Sequence, residues 1–445
     1  MSDPSSVIEA VDTVPALLEH VDAGRPALFD AALLGPRTTA LVGSWSALCD
    51  AAEPWAIPVR PNYRDHRFAA FRDYLRTRSE PSLAGFGPLP AARVELRDYI
   101  EQAQARPDQT DPAVELRPSA RLLEHLDGPA PLFEAMGLTR LHPGKTDDAD
   151  AIVVYAYVAG ADQSSDLHFD RDGRHVFNVQ LIGRKRFVLF SPHAGPLLSP
   201  IMQFSGIRAR EWSPSQRRDF LAYAGGCEVV LEPGWALYMP PFYWHHIDYL
   251  DAAAGLGFRV RPPDPGLQRV LDRLPANYLL QTIAAELLAR DDEPARQCRA
   301  ELEAFVDRGA RSVAAAYEAA CALQRRCLAT LGVELCGGGS PVIDSLDFGA
   351  PLFRQFMAGL VDDAREPSLA LAPELRFAPL DRGHVALVHG ERSVPVPLAL
   401  GRALLGRPRF DLDVLIAEHP EISATRWTRT ITKLRERGFI VALDG

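Results

Sequence analysis

Lysine is almost missing from this chain. Lys145, Lys185 and Lys433 are the only three in 445 residues, so 45 of the 48 cationic side chains are arginine. Together with abundant alanine and glycine, that bias points to a GC-rich bacterial genome more than to a function. It also makes each lysine conspicuous. Paired cysteine spacings are missing as well. Cys49, Cys227, Cys298, Cys321, Cys327 and Cys336 form no Cys-x-x-Cys and no paired histidine spacing accompanies them, which argues against a structural zinc site and a disulfide framework. There is no run of about 18 apolar residues, so no membrane span is expected. The opening MSDPSSVIEAVDTV has neither a basic stretch nor an apolar core, so a cytoplasmic protein without a secretory signal is expected. A net charge of −10 excludes a protein that coats nucleic acid over its whole surface.

What is present suggests several parts, since a chain of this length calls for roughly two to four domains. Residues 1 to about 130 mix helical spacing (Val7 to His20, Arg64 to Thr77) with a short strand at Trp55 to Val59. From Ala151 the pattern turns β-rich. Ile152–Val158, Val176–Ile182, Arg186–Phe190, Cys227–Leu231, Ala236–Pro240 and Gly255–Val260 are short strand-like runs punctuated by glycine and proline. That spacing predicts a closed or sandwiched β structure rather than βαβ units. Beyond Pro263, Gln268 to Leu288, Pro294 to Val306 and Ser312 to Leu331 carry helical periodicity, and Cys336-Gly-Gly-Gly-Ser340 is a linker. Val385 to Val394 predicts a hairpin at Gly390. Helices at Leu398 to Leu405, Asp411 to Glu418 and Ala424 to Arg437, the last capped by Ser423, precede a strand at Gly438 to Ala442. That order is the layout of a winged helix.

His-x-Asp is a weak motif here. It occurs four times, at His20, His125, His168 and His246. What singles out His168-Phe-Asp170 is its surroundings: it falls at the mouth of the first strand pair, and in an extended stretch residues i and i+2 share a face. His245 comes 77 residues later, after a strand ending Tyr238-Met-Pro-Pro-Phe-Tyr-Trp244. Two imidazoles and a carboxylate that leave open positions form a facial triad suited to Fe(II). Lys185, in Gly183-Arg-Lys-Arg186, could offer an ammonium to the distal carboxylate of a dicarboxylic co-substrate. Alternation places Arg184 and Arg186 on the opposite face.

The segments LHFDRDGRHVFNVQLIGRKRFVLF and EPGWALYMPPFYWHHID, with GFRVRPP after them, resemble the JmjC-type, cupin-like 2-oxoglutarate oxygenases, in particular the ribosomal oxygenase branch. The resemblance covers roughly residues 130 to 445. It implies an α+β protein with a cupin-type double-stranded β-helix (jelly roll) core, arranged as an N-terminal supporting part (1–130), a catalytic domain (131–263), a helical dimerisation-like region (264–340) and a winged-helix domain (341–445). It further implies Fe(II) held by His168, Asp170 and His245, with His245 preferred to His246 because the family's ligand directly follows the tryptophan. Lys185 would hold 2-oxoglutarate, Ser165, Tyr155 and Tyr157 would line its pocket, and Arg259 or Asn178 would stand behind the ligands. Arg171 to His175 makes the loop after Asp170 longer than the family pattern.

The expected activity is hydroxylation of an amino-acid side chain in a protein or peptide by a homodimer. An alternative is a tailoring hydroxylase of a peptide natural product or small molecule. From another class, the chain could be a winged-helix regulator with a ligand-sensing cupin. Residues 401 to 445 hold eight cations and six acids, which is compatible with nucleic-acid binding without favouring it.

Overall fold

The computed structural model describes residues 8–59, 92–106, 116–126, 130–335 and 369–442, apart from 199, 202, 206, 208, 275–276, 309–312, 382–383, 406–408 and several between 411 and 421. Expectations for Arg64 to Thr77, Cys336 to Ser340 and most of Asp411 to Glu418 lie outside those residues.

Seven strands dominate: β1 (Ala151–Ala159), β2 (His175–Ile182), β3 (Lys185–Phe190), β4 (Cys227–Leu231), β5 (Trp235–Met239), β6 (Trp244–Tyr249) and β7 (Ala253–Val260). The larger sheet runs Glu9–Val11, Ala27–Asp30, β5, β2, β7, β1, Arg140–Pro143, antiparallel except at its two edges. The smaller sheet runs β4, β3, β6. Single bridges from His168 to His245 and to Phe204 extend it. The chain passes from one sheet to the other at four of the six connections between β1 and β7, in keeping with a double-stranded β-helix. β1 and β2 share the larger sheet, with His168, bridged to the smaller sheet, between them; β3 and β4 share the smaller sheet, separated by a segment whose helix is Pro214–Ala224.

Alternation along the strands explains how both sheet faces are buried. Phe177, Val179 and Leu181 of β2 join the core shared with the N-terminal helices, where Leu17, Tyr99 and Phe133 also lie. Val176 instead meets Phe187, Leu189, Leu237 and Met239 between the two sheets. On the outer face of the smaller sheet, Val188, Phe190 and Trp244 pack against α1 (Pro265–Arg273), α2 (Tyr278–Ala289), α3 (Glu293–Arg308) and α4 (Val313–Leu331).

Two expected helices are divided. Val7 to His20 forms a strand, Glu9–Val11, and then a helix, Val14–Asp22. There the Thr13 hydroxyl accepts from Ala16 N–H and Pro15 fits the first turn, a start signal that overrides periodicity. Gln268 to Leu288 is split between α1 and α2. Pro275 lies between them in sequence, and the Asn277 side chain starts α2 by accepting from Leu280 N–H.

At the C-terminal end, Leu369–Leu371 pairs with Arg409–Phe410 and Ile440–Ala442, beside a three-stranded meander that turns at Gly390. Leu398–Leu405 and α5 (Ala424–Glu436) are helical, and the Ser423 side chain caps α5 as expected. Among the described residues no helix is long and apolar enough to cross a membrane.

Candidate metal centre

His168 and His245 face each other across the smaller sheet. His245 N–H donates to His168 O at 2.7 Å and His168 N–H to His245 O at 3.1 Å. Such an exchanged pair holds two side chains on one face, and the imidazole centroids lie 4.3 Å apart. Asp170, two residues beyond His168, reaches the same point. Its Oδ1 lies 3.9 Å from His168 Nε2, and its Oδ2 lies 4.0 Å from His245 Nε2. One ligand atom from each of the three residues falls within 4.8 Å of the others.

The tautomers suit a cation. His168 Nδ1 lies 2.6 Å from Asp166 O, and His245 Nδ1 lies 3.0 Å from Tyr243 O. A main-chain carbonyl accepts only from Nδ1–H, so each Nε2 is left with its lone pair turned toward Asp170. Burial acts on Asp170 to raise its pKa, but Arg259 and the two histidines outweigh it and hold the carboxyl well below the usual range. Burial pushes His245 down, toward the neutral form a metal requires. These donors fit a divalent cation with positions left open.

Local structure sets the other His-x-Asp motifs apart. His20 and Asp22 lie on a helix, where residues two apart diverge, and His20 Nε2 pairs with Glu9 instead. His246 and Asp248 share a face of β6, but it is the opposite one from His245; Nε2 and Oδ1 meet at 2.9 Å. His125 closes a helix, and Asp127 is outside the described residues.

The remaining expected residues fall in three groups. Lys185 pairs in register with Tyr249, as Leu189 does with His245, so Lys185 shares the face of His245 about 13 Å along the strand. It is 3% exposed, its Nζ lies 4.6 Å from the Tyr249 ring centroid and 5.4 Å from that of Tyr157, and burial pushes it down to about 7. No carboxylate pairs with it among the described residues. Tyr157 lines this recess, and Tyr155 lies beside Arg259, whose guanidinium is 5.2 Å from its ring. Burial pushes Tyr155 up to about 12. Ser165 takes a structural position, its hydroxyl accepting from Ile247 N–H at 3.0 Å. Asn178 is buried on β2, in register with Leu237 and Gly257.

Arg259 stands behind Asp170. Its Nη2 lies 2.8 Å from Asp170 Oδ2, and its Nη1 donates to Asp172 Oδ2 at 3.1 Å. The role of Asp172 was not read from the sequence, although Asp170-Arg-Asp172 offered a second acid in the lengthened loop. Gly255 and Gly257 were also missed as spacers. A Cβ on Gly255 would lie 2.6 Å from Val179 O and 3.1 Å from Lys185 Nζ, and one on Gly257 would lie 2.7 Å from the Tyr157 ring.

A two-sheet β-helix that gathers two histidines and an aspartate at one mouth defines a cupin-type protein with a candidate mononuclear metal centre. Residues 19–258 match the family model of the cupin-like domain, and the chain belongs to that family. It is also 28% identical over 106 residues to Jumonji C domain-containing protein 5 of Drosophila melanogaster, a stretch covering 23% of this chain and 26% of the fly protein. The matched stretch is thus about a quarter of that relative.

Proposed function

We propose that this chain is an Fe(II)- and 2-oxoglutarate-dependent oxygenase that hydroxylates an amino-acid side chain of a protein or peptide. The observation that carries the reading is the convergence of His168, Asp170 and His245 with both histidine Nδ1 atoms already committed to main-chain carbonyls. Family membership and the likeness to a Jumonji C protein support it. Iron with 2-oxoglutarate, when bound, supplies the activation of dioxygen that places one oxygen atom on a C–H bond.

The chain's own residues have separate tasks. His168 and His245 offer Nε2, and Asp170 offers a carboxylate kept ionised by Arg259. Lys185, buried with no counterion among the described residues, takes the far carboxylate of the co-substrate and regains a full positive charge as it does so. Tyr157 and Tyr249 wall that recess and exclude water. The order of jelly roll, helices and a C-terminal part with a capped helix followed by a strand supports placement in the ribosomal oxygenase-like branch, with a helical dimerisation region and a winged helix.

Purified protein supplied with Fe(II), ascorbate and 2-oxoglutarate should form succinate slowly without a substrate. His168→Ala and Asp170→Ala should each abolish it. Undiminished succinate from both variants would refute the ligand assignment. Peptides and ribosomal fractions can then be compared by mass for an added oxygen.

A further inference from the structure

The segment that carries His245 makes an unusual bend first. Phe242 adopts φ +64°, a left-handed conformation that a bulky residue holds only when its surroundings impose it. Three residues later comes His245, and the His245 ring is fixed through the carbonyl of Tyr243, the next residue after the bend. The direction of this turn therefore sets where the imidazole points.

The turn is held from outside the sandwich. The Gln281 side chain, on α2, donates from Nε2 to the carbonyl of Phe242. Gln281 is 1% exposed, and its Oε1 has no hydrogen-bond donor among the described residues. A buried amide with one unmatched acceptor is a poor choice for stability alone, because an apolar side chain of the same size leaves no such acceptor. What an apolar side chain could not provide is a donor to Phe242 O. Helix α2 is itself well anchored, since Asn277 Nδ2 donates to Gln324 Oε1 of α4 at 2.9 Å.

The same bend reaches the other ligands. The Phe242 ring lies against Gly173, where an added Cβ would stand 2.9 Å from Phe242 Cζ and 2.7 Å from Pro263 Cγ, and Gly173 holds φ +60°. Gly173 belongs to the lengthened loop after Asp170. Beside it, Arg171 donates to Leu271 O of α1 at 2.9 Å. On the outer face, Phe169 and Trp244, neighbours of Asp170 and His245, meet edge to face at 4.8 Å within the core shared with the helices.

We infer that Gln281 is a positioning residue for the candidate metal centre: by holding the Phe242 carbonyl it fixes the turn that aims His245. The inference rests on the metal-centre reading. It gives the helical region a part in assembling the site.

The test uses full-length protein and Co(II), whose visible bands report coordination geometry. The proteins compared are wild type, His168→Ala, Gln281→Met and Thr282→Val. Thr282 is the control, being a buried neighbour on α2 whose hydroxyl donates to Pro192 O at 3.1 Å and to Tyr278 O at 2.8 Å, away from the ligand-bearing turn. Gln281→Met should weaken Co(II) binding about tenfold or more and alter the visible bands, as loss of an outer partner of a metal ligand does. Thr282→Val should keep wild-type affinity and spectrum at a comparable loss in urea midpoint. Gln281→Met with wild-type Co(II) affinity and spectrum overturns the inference. Should Gln281→Met not fold, Gln281→Asn, one methylene shorter, tests the same bond with the same outcomes. If wild type binds Co(II) no better than His168→Ala, the metal-centre reading fails and takes this inference with it.

Discussion

Lys185 supplies the sharpest quantitative test. Burial between two tyrosine rings lowers its pKa from 10.5 to about 7, a difference worth on the order of 5 kcal/mol against the charged form. At pH 8 only about one molecule in ten of the ligand-free protein then carries the ammonium. A dicarboxylate that needs this charge must bring a proton with it. Its apparent Kd should therefore rise about tenfold per pH unit above pH 7, until the pKa of the bound state is reached. Isothermal titration calorimetry with 2-oxoglutarate and Co(II), in two buffers of different ionisation enthalpy, counts that proton directly, and close to one should be taken up at pH 8. Lys185→Arg keeps its charge at every pH and should flatten the profile, while Lys185→Met should cost about a hundredfold in affinity. The folding linkage has a definite sign. The unfolded chain holds this proton up to the ordinary lysine value and the folded chain only to about 7. The ligand-free protein therefore gains stability from this group as pH rises through that window, relative to Lys185→Met. A Kd that stays flat from pH 6.5 to 9 without proton uptake would refute the assignment of Lys185.

Three further outcomes are expected. Arg259→Met leaves the half-buried Asp170 and Asp172 without this cation and should cost about 1–3 kcal/mol in urea unfolding, part of it recovered by saturating Co(II); an unchanged midpoint counts against the ion-pair bridge. Gly257→Ala forces the Tyr157 ring to move and should cost about 1–3 kcal/mol while weakening 2-oxoglutarate binding, whereas unaltered affinity would separate Tyr157 from that recess. Phe169→Ala empties the contact with Trp244 and should cost about 3–5 kcal/mol by chemical denaturation. At low temperature it should still form succinate, because Phe169 itself offers no ligand atom.

The strands were legible because their β-branched and aromatic runs end at glycine and proline, and strand context separated His168 from the His-x-Asp motifs at His20 and His125, which lie on helices. The choice of His245 over His246 needed the family pattern, and the register of β6 supplies its physical reason, since adjacent residues face opposite sides of a strand. Other features left no local signal. Periodicity could not show that Thr13 and Pro15 start a helix after a strand, or that Asn277 restarts one. Arg259 meets Asp170 from 89 positions away and Gln281 meets Phe242 from 39, distances no motif spans. Asp172 read as part of a loop because nothing nearby in sequence identifies its partner.

The mutual hydrogen bonds between His168 and His245 have a kinetic consequence. These residues lie 77 apart, and the strands between them must first find places in two different sheets. Closing so long a segment is among the slower steps of a β topology, and a chain that has not closed it has no place for the ion. Capture of Co(II) during refolding should therefore lag behind the recovery of helical signal, marking the moment at which the sandwich is complete.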